Sequence, residues 1–273
     1  MKRIYIAVIA GIIGAAALLA QAKAPKITKE EAMAFNAVQG EMDPQKRMTA
    51  ADEFVTKFAD SSLKPTILLM AAQAAAQKND ADKMVIYCER VLDSYPKPTP
   101  AMYPATQSLL MLANYYSTKT REFDLDKEEK LAKAEGYAKQ ALELTDKMEK
   151  PNPQITDDQW TAAKKDLTAQ AHEALANVDM VRKNYDAAIG EYKVSIGDAA
   201  TPEPSTQVRL ANAYTEAGKY DDAIAILDKV ISTADVHPQI KAAAQQLKNK
   251  ATALKAKAAG GATPAPAPSP AKP

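Results

Sequence analysis

The sequence predicts an all-α fold: a solenoid of about five stacked helix pairs closed by a C-terminal capping helix. Alanine dominates an apolar content of 47%, aromatics make up only 6%, and Ala, Glu, Lys, Leu and Gln favour helix. No run alternates apolar and polar residues with β-branched enrichment, so strands are not expected. The stretch Leu210 to Ile231 reads as two short helices around a turn, and its pattern recurs along the chain.

That stretch is the clearest unit. Its first helix carries Leu210, Ala211, Ala213 and Tyr214, and Gly218 supplies the left-handed backbone that ends it. Its second helix places Ala223, Ile224, Leu227, Val230 and Ile231 on one apolar stripe at the helical period. Ala211 and Ala223 let the two helices approach, while Tyr214 and Tyr220 fill the space between them. One such pair cannot bury both of its faces, so it needs copies above and below.

From the N-terminus, Lys2 and Arg3 precede an uncharged run from Ile4 to Ala22 that ends in Ala-Gln-Ala. A basic end, an apolar core and small residues at the cleavage positions predict a signal peptide over 1–22. Cleavage would remove the two basic residues, leaving 35 − 2 = 33 Lys and Arg against 34 Asp and Glu. The alternative is an uncleaved anchor, because the run is close to the shortest apolar length that spans a bilayer. The body is then expected to be periplasmic or secreted, or anchored in the inner membrane facing the periplasm. No cysteine follows the apolar run, which argues against a lipoprotein.

A short linker over 23–27 leads into the solenoid, predicted over 28–258. Thr28 is the expected N-cap of the first helix, with Glu31 completing a capping box. Copies of the 210–231 pattern place repeats at about 31–64, 66–98, 106–146, 169–202 and 204–237. The first follows a turn at Asp43-Pro44 and carries Ala50, Phe54 and Phe58. In the second, Ala72, Asp80, Met84, Cys88 and Val91 fall in register, and Pro96 stops the helix. The third is interrupted by about nine inserted residues after Tyr116. The fourth carries Tyr185, Ala188 and Tyr192 where the fifth carries Tyr220, Ala223 and Leu227.

Leu-Ala-x2-Tyr, then Gly-x-Tyr-x2-Ala, then an apolar pair, resembles the tetratricopeptide repeat. Leu210, Ala211, Tyr214, Gly218, Tyr220, Ala223 and Val230 carry the resemblance, which extends in weaker form over about 28 to 235. The segment 54–62 is also similar to envelope tetratricopeptide proteins of the outer-membrane assembly and cell-division type. The family implies a right-handed superhelix whose concave groove binds peptide segments.

In the alignment of these copies, the residue after the small or apolar one of the first helix is an amide every time: Gln39, Gln73, Asn114, Asn177 and Asn212. The resemblance implies that this position faces the groove. A side-chain amide both donates and accepts, so a ladder of them suits the backbone of an extended ligand, with Arg209 and Glu216 nearby. The alternative is that these amides cap or bridge helices without any ligand. A carboxylate clamp of the kind some relatives use is not expected. It needs basic residues one turn away, and the residues there are Leu110, Glu173 and Val208.

The capping helix is predicted over 238–258, opened by Pro238, with Ile240, Ala244, Leu247, Ala251 and Leu254 facing the last repeat. Lys241, Lys248 and Lys255 line another stripe, suited to a solvated cap face or to weak contact with an anionic membrane surface. Residues 259–273 are expected to be a disordered Ala/Pro-rich tail.

Other function classes find little support. A formal charge of +1 argues against a dedicated nucleic-acid binder. The single cysteine excludes an internal disulfide and any multi-cysteine metal site, and Cys88 reads as an inert packing thiol. No catalytic motif is present, and His172 and His237 are isolated. The acids Glu122, Asp124, Asp126, Glu128 and Glu129 lack the glycine and ligand spacing of a calcium loop. Trp160, on a long helix expected to begin near Asp157, reads as a packing residue rather than an interface anchor. No enzyme activity, cofactor or metal is expected. The two functions left are a scaffold that binds a peptide of another envelope protein in its groove, and a self-associating or membrane-anchored assembly component that uses its convex face.

Overall fold

A computed structural model describes residues 27–95, 103–150 and 154–260. The signal or anchor segment, most of the linker, Pro96 and the tail from 261 onward lie outside these residues. The chain order is α1 (Lys29–Gly40), α2 (Pro44–Lys57), α3 (Lys64–Gln77), α4 (Ala81–Asp93), α5 (Tyr103–Lys119), α6 (Lys127–Lys147), α7 (Asp157–Arg182), α8 (Tyr185–Asp198), α9 (Pro204–Glu216), α10 (Tyr220–Ser232) and α11 (Pro238–Gly260). No strand occurs among the described residues. The fold is an α-solenoid of five helix pairs, α1/α2 to α9/α10, with α11 stacked on the last.

Each helix packs against the next in sequence, and α1–α3, α3–α5, α5–α7 and α9–α11 also touch across successive pairs. No two even-numbered helices make a comparable contact. Elements that meet across repeats lie on the inside of a curved stack, so the odd-numbered helices form the concave face and the even-numbered ones the convex face.

The local chemistry explains the boundaries. Thr28 accepts the Glu31 N–H at 3.1 Å and its own N–H donates to the Glu31 carboxylate at 3.1 Å, closing the expected capping box. Thr156 and Gln159 make a second one at the start of α7. Helix α7 therefore begins at Asp157, twelve residues ahead of position 169 where the repeat pattern starts, and its first turns carry Trp160 against α5 and α6. The insertion in the third repeat is partly helical: α5 runs on to Lys119 and α6 starts at Lys127, giving helices of 17 and 21 residues with 120–126 as the loop between them. Helix α11 takes in residues 259 and 260, which the sequence assigned to the tail.

Three of the A-to-B turns share one device. Asn79, Lys183 and Gly218 occupy the left-handed region at φ 59°, 64° and 75°. The following residue's N–H then returns five residues back, from Asp80 to Ala75, Asn184 to Asp179 and Lys219 to Tyr214, at 2.8–2.9 Å. This is the Schellman closure, which glycine enters without steric cost. Asn tolerates that conformation, whereas Lys183 adopts it against its intrinsic preference.

The core runs the length of the stack. Phe35, Val38, Ile67, Leu68, Ala72, Cys88 and Val91 anchor the N-terminal part, and Ala176, Ala188, Tyr192, Ala211, Ala223 and Leu227 the C-terminal part. Ala105, Leu109, Ala141, Leu144 and Leu167 join them in the middle. Trp160 packs against that middle cluster, in keeping with a packing role. Cys88 is fully buried, and desolvation pushes its thiol up to about 12.

Three outcomes follow for stability and reactivity. Lys183→Gly should raise, and Gly218→Ala lower, the unfolding free energy by about 1 kcal/mol in denaturant titrations, because each changes the strain at a left-handed residue. Ala176→Leu should cost about 1–3 kcal/mol by overpacking a closed helix crossing. Cys88 should react with a thiol reagent only after unfolding, so a stoichiometric reaction of the native chain would refute the buried assignment.

Candidate functional site on the concave face

The amide positions lie on the five inner helices. Each directly follows a buried residue, Val38, Ala72, Ala113, Ala176 and Ala211, and so emerges at a similar angle on each helix. Gln39, Gln73, Asn114 and Asn212 are half-buried. The side chains of Gln73, Asn114 and Asn212 make no hydrogen bond among the described residues, whereas Gln39 has a partner. Asn114 shares a recess between α5 and α7 with Leu110, Gln170, Glu173 and Ala174.

Asn177 is not an open rung of this ladder. It is 9% exposed. Its Oδ1 accepts the Tyr192 hydroxyl of α8 at 2.7 Å and lies 3.5 Å from a guanidinium nitrogen of Arg209 on α9. Both donors claim the acceptor half of the amide, so the bridging alternative holds at this position. Burial raises the Tyr192 hydroxyl above its usual range and keeps it the donor. The Asn177 Nδ2 is buried and has no partner.

Arg209 is likewise committed. It pairs with Glu173 at 2.6 Å, and the two side chains are 34% and 16% exposed. This ion pair closes the gap between α7 and α9. Glu216 lies past the groove at the end of α9, where Lys250 of α11 pairs with it at 2.6 Å. The floor of the groove at α7–α9 is thus a connected network of Glu173, Arg209, Asn177 and Tyr192 in which the Asn177 Nδ2 alone of the amide's two polar atoms is unpaired. The open amides flank it.

The lysine stripe of the cap is not a free cationic face. Lys248 pairs with Asp228 at 2.5 Å, Lys255 pairs with Asp221, and Lys241 donates to the Ala234 carbonyl at 3.2 Å. All three stitch α11 to α10 and the turn that follows it. A membrane contact through these lysines would have to break those pairs, so that reading is set aside. His172 meets Glu191 at 2.6 Å, linking α7 to α8. Glu122, Asp124, Asp126, Glu128 and Glu129 are each paired with a lysine or arginine, and no cluster with the geometry of a metal site occurs among the described residues.

The bridging network was missed in the sequence, although a signal for part of it was present. Glu173 and Arg209 are 36 positions apart, about one repeat, and Tyr192 stands where the next repeat has Leu227. An opposite-charge pair one repeat apart and a hydroxyl gained at a core position both point to such a bridge.

Residues 182–247 match the family model described as Tetratricopeptide repeat. Tetratricopeptide repeats are shown for that segment. No curated protein matches the sequence. Among solved structures, the chain is similar to BtubC (BKLC) from P. vanneervenii at 14% identity, with a TM-score of 0.49 over 85% of this chain and 98% of that one. It is also similar to the assembly chaperone of RpL4 (Acl4), residues 1–338, at 13% identity, with a TM-score of 0.40 over 85% and 99% of the two chains. Tetratricopeptide repeats are generally non-catalytic and bind other proteins, and the match over 182–247 suggests a protein-interaction scaffold.

If the Asn177–Tyr192 bridge is structural, Tyr192→Phe and Asn177→Ala should each destabilise the chain by about 1–3 kcal/mol, since the first leaves the Asn177 carbonyl with only its longer Arg209 contact and the second leaves the buried Tyr192 hydroxyl unpaired. The double variant should cost less than the sum, which a double-mutant cycle would measure. Additive losses would show that the bond does not couple the two helices.

Proposed function

We propose that the chain is a non-enzymatic scaffold of the bacterial cell envelope that holds an extended segment of another protein in its concave groove. The observation that carries this reading is the set of half-buried amides Gln73, Asn114 and Asn212, with no side-chain partner among the described residues. A half-buried amide gains by finding a donor and an acceptor, and a peptide backbone offers both at every residue. Asn177 and Arg209 hold the floor rigid, and Gln39 belongs to the same face. The envelope location is supported by the basic and apolar character of residues 2–22.

With Arg209 and Glu216 both tied up, selectivity rests on shape and hydrogen bonding rather than on charge. Binding is therefore expected to depend little on salt, since only unscreened charge pairs would make it salt-sensitive.

The test places a photo-crosslinking amino acid at Gln170, beside the Asn114 recess, and separately at Val194 on the convex helix α8. The Gln170 probe should capture a defined peptide of a second protein. Replacing Gln73, Asn114 and Asn212 together with Ala should reduce that capture by at least about tenfold, the equivalent of one to two net hydrogen bonds. The melting temperature should not change. Capture at Val194 alone, between copies of the chain, would instead support self-association through the convex face and overturn the groove reading.

A further inference from the structure

One edge of the stack, where the inner helices turn into the outer ones, holds an open recess of about 480 Å³ between the α7–α8 and α9–α10 turns. Residues 183–187 line one side, and Glu216 and Ala217 the other. Its charged groups are already matched. Asp186 pairs with Lys219 at 2.7 Å, Glu216 with Lys250 at 2.6 Å, and Lys183 with Glu122 at 2.5 Å. The Asn184 amide donates to the Asp179 carboxylate at 3.3 Å. What remains is apolar Ala187 and Ala217 and the half-buried ring of Tyr185, whose hydroxyl makes no hydrogen bond among the described residues.

Such a recess suits an uncharged segment rich in carbonyl acceptors and poor in N–H groups, and the chain carries one. Residues 261–273 include five prolines and a single charge, Lys272. Each proline removes an N–H and keeps its carbonyl, and proline-rich backbone packs on aromatic rings with its carbonyls open to donors. Placement favours this segment over a separate one. Helix α11 is fastened beside the recess, since Lys250 holds the wall residue Glu216 and Lys255 pairs with Asp221 at the start of α10. Gly260 lies ten residues beyond Lys250, roughly 15 Å along a helix. The 13 residues of 261–273 reach about 40 Å when extended, enough to return over that distance and cross the recess. Gly260 and Gly261 permit the reversal, having no Cβ to clash. The tether also supplies a local concentration that a free competitor would have to exceed.

We propose that the proline-rich segment 262–270 folds back along this edge and occupies the recess of its own chain. A proline sits on the Tyr185 ring, and the Tyr185 hydroxyl donates to a carbonyl of the segment. The returning segment would also cover residues 256–259 of α11, which are all exposed. The recess lies on the turn edge and contains none of the groove amides, so this assignment does not rest on the groove reading and either can fail alone.

The full chain carrying benzoylphenylalanine at Ala267 is irradiated, digested and mapped by mass spectrometry. It should crosslink within one molecule to residues 183–187 or 216–217. Tyr185→Phe keeps the ring and removes only the donor. It should lower that yield about threefold, the equivalent of one weak net hydrogen bond, with the melting temperature unchanged. Crosslinks scattered over the outer surface would overturn the proposal, because the segment would then only collide with the body. So would a yield that Tyr185→Phe leaves unchanged. Crosslinks joining the segment to the recess of a second, isotopically labelled copy would assign the contact to exchange between chains. A probe at Ala187 that captures another protein in place of 262–270 would give the recess to that partner, and either result overturns the intramolecular assignment. Capture by the Gln170 probe in the groove should be the same in all these cases.

Discussion

The architecture depends on how closely the inner helices can approach their neighbours. Ala72, Ala113, Ala176 and Ala211 occupy one register on α3, α5, α7 and α9 and are fully buried there, with Val38 in that place on α1. Ala188 and Ala223 meet the last two from α8 and α10. At each of the alanine crossings the side chain between the helices is a single methyl group, which permits close approach. Fixing that residue also fixes the angle at which the next one emerges. The amide row on the concave face is therefore a by-product of the alanine seam, and the two features stand or fall together.

A second set of contacts ties each repeat to the next. Tyr87 and Arg90 of α4 reach Asp52 of α2 at 2.7 and 2.9 Å. Lys78 reaches Gln45, Arg209 reaches Glu173, Lys219 reaches Asp186, and Lys250 reaches Glu216, at 2.6–2.8 Å. Their partners lie 33 to 38 positions apart, close to the length of a repeat. Exposed pairs of this kind contribute little individually. Their value is in register, since a helix pair that slipped by one turn would lose its apolar contacts and its ion pair at once.

How much of this was legible in the sequence varied with how local the cause was. The helix pairs, the Thr28 capping box, the Gly218 turn and the burial of Cys88 each depend on a few neighbouring residues, and the chain spells them out. The left-handed Lys183 was not legible, because lysine gives no hint of a conformation imposed by the neighbouring pairs. The start of the long α7 near Asp157 was legible, and its cause, the Thr156–Gln159 capping box, is local as well. The groove was half legible. The amide register could be counted, but whether each amide was open or spoken for depended on partners one helix or one repeat away: Tyr192 for Asn177, Glu173 for Arg209, Lys250 for Glu216. The same holds for the cap lysines, whose seven-residue spacing matched a free stripe while Asp228 and Asp221 of α10 and the Ala234 carbonyl held them.

The two ends of the stack are finished differently. At the C-terminus, α11 is buttoned to α10 and α9 by Lys241, Lys248, Lys250 and Lys255. At the N-terminus, α1 sinks only Phe35 and Val38 fully, while α3 behind it buries a continuous apolar face from Pro65 to Ala75. In a linear array whose cohesion is the sum of neighbour interfaces, such asymmetry gives the molecule a polarity. The 12-residue α1 offers the stack a shorter seam than the 23-residue α11, so under load the α1 edge is the end expected to open first, like a zipper from its free end.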